Sequence, residues 1–123
     1  MSPRSSELLD RARDGLVSAQ VLVDARQAAT AVSTAYYAML YAARAALSER
    51  DQNARSHTGT WDLFRRQFVV AGEFDEELWR AAQHAQARRE ASDYGAAVFE
   101  LAEARELLDT ARRFVAAVER LIA

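Results

Sequence analysis

Cysteine is absent from this chain of 123 residues, which excludes a disulfide framework and a thiolate metal site. Lysine is absent too, so all 16 basic residues are arginines, a bias that genomic base composition explains more simply than phosphate binding does. Proline occurs only as Pro3, and glycine only as Gly15, Gly59, Gly72 and Gly95. So little punctuation predicts long helices. Histidine is limited to His57 and His84. Without an H-E-x-x-H or a paired E-x-x-H, the chain offers little to a transition metal, and no metal is expected. It has no P-loop, no G-x-G-x-x-G and no serine in a nucleophile elbow, so no cofactor is expected either. The longest mostly apolar run, Ala31 to Ala43, is too short to cross a bilayer. The Met1–Ser6 segment leads into a charged helix and not into an apolar signal. A cytoplasmic protein without membrane contact is the expectation. A net charge of -2 argues against an electrostatic sleeve for long nucleic acid, although a local arginine cluster can still hold one phosphate.

What remains is a globular balance, half apolar and 28% charged, in a length that suits one domain over residues 1–123. Abundant alanine and few β-branched residues favour helix. Leu9, Ala12, Leu16, Ala19 and Val23 recur at helical spacing after a cap at Ser5 or Ser6. Gln27–Thr30 is a weak break before a second helix over about 31–48, whose face of Tyr36, Leu40, Ala43 and Leu47 should be buried. The polar stretch from Glu49 to Ser56 reads as a loop. Thr58 or Thr60 caps a third helix with Trp61, Phe64 and Phe68 as its stripe, ended by Ala71-Gly72. Asp75 caps a fourth, with Glu76 and Glu77 at its positive end and Leu78, Trp79 and Ala82 facing inward. Gly95 marks a bend. A last helix over about 102–121 carries a seam of Leu101, Ala104, Leu108, Ala111, Val115, Val118 and Ile122, with Leu107, Phe114 and Leu121 as a second stripe. So wide an apolar face belongs in a bundle core. The predicted fold is all-α, an up-and-down bundle of four to five helices.

Three signatures stand in a fixed order: Ala35-Tyr36-Tyr37-Ala38-Met39, then Ser56-His57-Thr58-Gly59 after Arg55, then Arg89-Glu90-Ala91-Ser92-Asp93-Tyr94. Together they resemble one branch of the HEPN-domain family, small prokaryotic helical bundles often encoded beside a minimal nucleotidyltransferase. The resemblance implies a helical bundle, a homodimer whose groove both protomers build, and an RNA or nucleotide ligand. The chain departs from the family in three places. Thr34 and Tyr41 stand where an arginine and a histidine are usual. The arginine–(four to six residues)–histidine motif associated with metal-independent RNA cleavage is replaced by Arg89, Asp93 and Tyr94. The literal match Arg50–His57 falls in the predicted loop, away from the family's place for the motif.

The chemistry of these residue types yields the candidates. Adjacent helical residues point about 100° apart, so one of Tyr36 and Tyr37 packs inside while the other, taken as Tyr37, lines a groove. An arginine can hold a phosphate through two parallel hydrogen bonds and stabilise its developing charge. Arg89 is the first candidate for that role, with Arg88 and Arg55 beside it. Asp93 lies four residues on and can pair with Arg89 on one helix face. His57, just ahead of a helix, can hold an anion or move a proton. Tyr94 has an ordinary pKa near 10, so about one in a thousand is ionised at pH 7, a poor general base. Two functions follow. One is a nucleotide- or partner-binding module of a toxin–antitoxin type system, in which Tyr94 is a contact or modification acceptor for a nucleotidyltransferase. The other is a metal-independent ribonuclease toxin using Arg89 with His57 or Tyr94. The missing motif histidine and the slightly acidic balance favour the first.

Overall fold

Ser2 begins the fold, because Pro3 takes the first helical position, where its missing N–H costs nothing. The Ser2 side chain accepts from the Ser5 backbone N–H at 3.1 Å, and the Ser5 hydroxyl donates to Glu49 Oε2 at 2.8 Å. The cap is therefore Ser2 and not Ser5 or Ser6. Buried Ser5 instead ties the start of the first helix to the end of the second. The Ser2 N–H and the Ser5 hydroxyl both donate to Glu49, which holds its carboxyl below the usual range.

The computed structural model describes residues 1–95 and 98–123. They form five α-helices and no strand: α1 (Pro3–Asp24), α2 (Ala28–Ser48), α3 (His57–Phe64), α4 (Glu76–Asp93) and α5 (Leu101–Ile122). α3 runs on into one π-helical turn, Arg65–Val69. α2 begins at Ala28, three residues ahead of the expected start, because Arg26 takes a left-handed φ of 60° and reverses the chain sooner than the sequence implied. A turn this short makes α1 and α2 neighbours in the bundle. Ser56 caps α3 in place of Thr58 or Thr60. Thr60 is buried, and its hydroxyl donates back to the Ser56 carbonyl. Asp75 caps α4 through the Glu77 N–H, and Gly95 takes a φ of 73° just beyond it.

α2 is the central helix and packs on all four others. Its alanines at 31, 35, 38, 42, 43, 45 and 46 are buried, which lets neighbouring helices approach closely. Gly15 of α1 is one such contact: a Cβ there would lie 3.2 Å from the Ala38 Cβ. The second half of the core is aromatic. Phe64, Phe68, Phe74, Phe114 and Trp61 meet with ring centroids 4.9–6.4 Å apart, in edge-on and tilted arrangements that suit the ring quadrupoles. The seam of α5 is buried at Ala104, Leu108, Ala111, Val115 and Val118, with Phe114 beside it.

Phe114 touches Trp61, Phe64 and Phe74 and is fully buried. Phe114→Ala leaves a cavity that rigid neighbours cannot fill and is expected to lower unfolding free energy by about 3–5 kcal/mol. Urea denaturation followed by tryptophan fluorescence checks this; a loss under about 1 kcal/mol would mean that the aromatic cluster is not the anchor of the core.

Candidate functional site

The site grows from one buried hydroxyl. Tyr36 lies on the inner face of α2 and is wholly buried, while Tyr37, one residue on, is half-exposed. The Tyr36 hydroxyl has two partners. Trp61 Nε1 donates to it at 3.1 Å, and His57 Nδ1 lies 3.0 Å from it. Trp61 is in turn fixed by Trp79, whose Nε1 donates to the Trp61 carbonyl at 3.0 Å. Four aromatic residues from α2, α3 and α4 are thus linked in one polar chain.

This chain decides the state of His57. An indole nitrogen can only donate. The Tyr36 oxygen already accepts from Trp61, so its own proton must go to the other partner, His57 Nδ1. The alternative leaves a buried O–H without a partner, which costs about 1–3 kcal/mol. The assignment that leaves no buried O–H unpaired is the Nε2–H tautomer of His57, with its Nδ1 lone pair accepting from Tyr36. Burial, then the positive charges of Arg89 and Arg44, push its pKa below the ordinary value, against a weaker pull from Glu90. Burial likewise raises the Tyr36 phenol. His57 is the first residue of α3, and the Ser56 cap sets its backbone: Ser56 Oγ accepts from the Gly59 N–H at 2.9 Å. A Cβ on Gly59 would fall 2.7 Å from that same oxygen, so glycine permits the cap.

Arg89 enters from α4 and lies in the angle between the two tyrosines. Its guanidinium carbon is 5.3 Å from the Tyr36 ring centre and 5.4 Å from that of Tyr37. Both rings offer their negative π-faces to the cation. The side chain is only 14% exposed, and its Nη1 donates to Asp93 Oδ2 at 2.7 Å. Arg89 Nε is buried with no partner among the described residues. His57 packs on the same two rings, 5.7 Å from Tyr36 and 5.5 Å from Tyr37. Two donors, the Arg89 guanidinium and the His57 imidazole, thus flank one tyrosine pair.

The other candidates lie elsewhere. Arg88 points toward α5, donates to both oxygens of Glu103 at 3.0 and 3.1 Å, and covers the Phe99 ring. Arg55 is exposed; its carbonyl accepts from Arg44, which also reaches the Thr60 hydroxyl. Tyr94 caps α4 and is 87% exposed. Arg50 stacks on Phe68 and bonds Glu73 and the Gln67 carbonyl, whereas His57 meets Tyr36 and Tyr37. Tyr36 is the centre of this candidate site, and periodicity alone assigns it to the core. Its signal is the combination of a buried phenol with a histidine and a tryptophan that need partners.

Residues 5–121 match the HEPN domain. The chain belongs to the HEPN family. It is 38% identical over 97 residues to "UPF0332 protein glr0978" of Gloeobacter violaceus, covering 79% of this chain and 77% of that one. A protein of Methanocaldococcus jannaschii named "Putative toxin MJ0142" is 29% identical over 92 residues, 75% of this chain and 63% of its own. The crystal structure of TT1696 from Thermus thermophilus superposes with a TM-score of 0.82 at 25% identity, covering 98% of this chain and 99% of that one. The helical bundle is therefore a HEPN bundle. No described helix is long and apolar enough to cross a membrane.

Arg89→Gln is expected to raise the His57 pKa, because the guanidinium is one of the forces that lower it. Glu90→Gln should lower it further. NMR titration of the two histidine side chains reads both shifts. The folded state prefers neutral His57, so the unfolded chain binds more protons below its own pKa of about 6.5. Stability is full above that pH and falls as pH drops through the folded value. His57→Gln removes this part of the pH dependence.

Proposed function

We propose that this HEPN protein is a nucleotide-binding module of a toxin–antitoxin pair, in which Arg89 and the Nε2–H of His57 take the phosphate. The observation that carries this is the 3.0 Å contact of His57 Nδ1 with the Tyr36 hydroxyl, which also accepts from Trp61 and so assigns the Nδ1 lone pair to that bond. A general base needs a free lone pair, and a neutral imidazole N–H is far too weak an acid to protonate a leaving group. With Nδ1 held by Tyr36, His57 has only a hydrogen bond to give. Beside it stands an arginine with unfilled donor capacity. Two donors on an aromatic floor suit binding of a charged phosphate more than its cleavage.

Exposed Tyr94 fits the same picture. Its side chain is in solvent and open to another protein. We assign it as a contact or modification acceptor for a minimal nucleotidyltransferase partner, with a homodimer as the working unit. The similarity to the Methanocaldococcus jannaschii protein named a toxin supports the toxin–antitoxin setting. Ribonuclease activity is the competing function, supported by the meeting of Arg89 and His57 on one tyrosine pair. It requires the Tyr36 bond to reverse so that Nε2 gains a lone pair.

Titration with 5′-mononucleotides, beside incubation of a mixed RNA pool in EDTA, separates the two. Binding that weakens roughly 10–100-fold in Arg89→Gln, the worth of a charge-assisted bond, is the expected result, with RNA left intact. Cleavage by wild type that disappears in both Arg89→Ala and His57→Ala would overturn it.

A further inference from the structure

α2 turns one narrow stripe outward, and two tyrosines stand on it. Tyr37 and Tyr41 are four residues apart, so they share a helix face, and their ring centres lie 6.2 Å apart at a tilt of 36°. Both are half-buried, with ring bodies packed on the core, and neither hydroxyl is tied by a hydrogen bond among the described residues. Tyr37 is already engaged, by Arg89 at 5.4 Å and by His57 at 5.5 Å. Tyr41 is more open. Apart from Tyr37, its one aromatic or cationic neighbour among the described residues is Arg11 of α1, whose guanidinium carbon lies 5.8 Å from the ring centre. That is the outer limit of cation–π attraction, about 6 Å, and well beyond the roughly 3.5–4 Å of atomic contact. The Arg11 side chain is 58% exposed, and its pairing with Glu7 at 3.6 Å is also on the surface. Such contacts contribute about 1 kcal/mol at most. Gly15 against Ala38 and the buried Ala12 already hold α1 on α2, so the fold does not need Arg11 above Tyr41. One turn along the stripe, Arg44 bonds only neutral oxygens among the described residues, the Arg55 carbonyl and the Thr60 hydroxyl, and keeps its charge unpaired.

We infer that Arg11 and Tyr41 clamp the nucleobase of a nucleotide whose phosphate lies on Arg89. The inference rests on the proposed phosphate role of Arg89 and adds the place of the base. A planar base between a guanidinium and a phenol ring needs two stacking layers, about 7–8 Å in all. The slot is now 5.8 Å wide, so Arg11 has to move out by about 2 Å. An exposed side chain whose ion pair is with its own helix permits this. Both walls suit the task, because bases stack on tyrosine rings and on arginine planes alike. Tyr37 is the common neighbour of the two subsites, 6.2 Å from Tyr41 and 5.4 Å from Arg89. Base and phosphate are thus separated by one aromatic ring, a gap for the ribose to bridge. Arg44 adds a cation on the same stripe for the negative ligand. Stacking reads a π-face and not a base edge, so the clamp tells a nucleotide from a sugar phosphate and does not tell one base from another.

The test compares adenosine 5′-monophosphate with ribose 5-phosphate, which has the sugar and the phosphate but no base, by calorimetry at pH 7.5. Wild type, Tyr41→Leu, Tyr41→Phe, Arg11→Gln and Arg89→Gln are titrated with both. Tyr41→Leu keeps an apolar body against the core and removes the ring face, and circular dichroism checks that it folds. Arg11→Gln, at an exposed position, keeps the test open should Tyr41→Leu misfold. Wild type should bind the nucleotide about 10–100-fold more tightly, the worth of one stacked base. Tyr41→Phe should keep that preference, and Tyr41→Leu should reduce it to about 3-fold or less. Arg11→Gln should weaken the nucleotide by about 2–5-fold and leave the sugar phosphate unchanged. Arg89→Gln should weaken both and leave the preference intact. Equal binding of the two compounds by wild type, or a preference unchanged in Tyr41→Leu and Arg11→Gln, overturns the clamp while leaving Arg89 as a phosphate ligand. A preference lost in Tyr41→Phe overturns stacking as its cause. Binding of neither compound by wild type, or binding untouched by Arg89→Gln, overturns the Arg89 reading itself, and this inference with it.

Discussion

A single buried oxygen, the hydroxyl of Tyr36, sets the state of everything around it. It accepts a hydrogen bond from Trp61 and must donate its own proton to His57, because no other partner among the described residues reaches it. The consequence travels outward. On this assignment the Nδ1 lone pair of His57 is spent, its Nε2 carries the remaining proton, and burial with the charge of Arg89 favours the neutral ring. Arg89 packs on the outer side of the same phenol. Burial of Tyr36 in the core of α2 therefore positions two donors that lie 32 residues apart in the sequence.

The bundle holds that phenol still. Alanines along α2 let α1 and α5 pack closely on that helix, and the aromatic cluster of Trp61, Phe64 and Phe114 fixes the helix that brings His57. Trp79 adds a second lock through the Trp61 carbonyl, so that α4, which carries Arg89, is tied to α3, which carries His57. Motion between these helices would break buried hydrogen bonds as well as packing, and each lost bond leaves a polar atom in a dry interior. The distance between Arg89 and His57 is thus a property of the core and not of a loop.

Much of this was legible in the sequence, and for definite reasons. The seam of α5 has a period that only helix satisfies, Asp75 precedes two glutamates and an apolar run, and Gly95 ends the helix that Asp93 closes. Boundaries shifted where a local competitor won. Ser5 looks like a cap until Pro3 claims the first helical position, and Thr60 looks like one until its hydroxyl turns back to the Ser56 carbonyl. The site was less legible. Arg88 and Arg89 are equal as letters, and only the packing of α4 sends one to Glu103 and the other to the tyrosines. The role of Tyr36 depends on partners 21 and 25 residues away, and no spacing rule encodes a hydrogen-bond direction.

The protonation of His57 is therefore the quantity on which the functional account turns. A long-range proton–nitrogen correlation spectrum of the histidine side chains at pH 7.5 reads it directly, since protonated and unprotonated ring nitrogens resonate far apart. The account predicts that His57 carries its proton on Nε2, with Nδ1 showing an unprotonated, hydrogen-bonded signal that shifts in Tyr36→Phe. A proton on Nδ1 would contradict it: Nε2 would then have a free lone pair beside Arg89, and the site would be built for proton transfer.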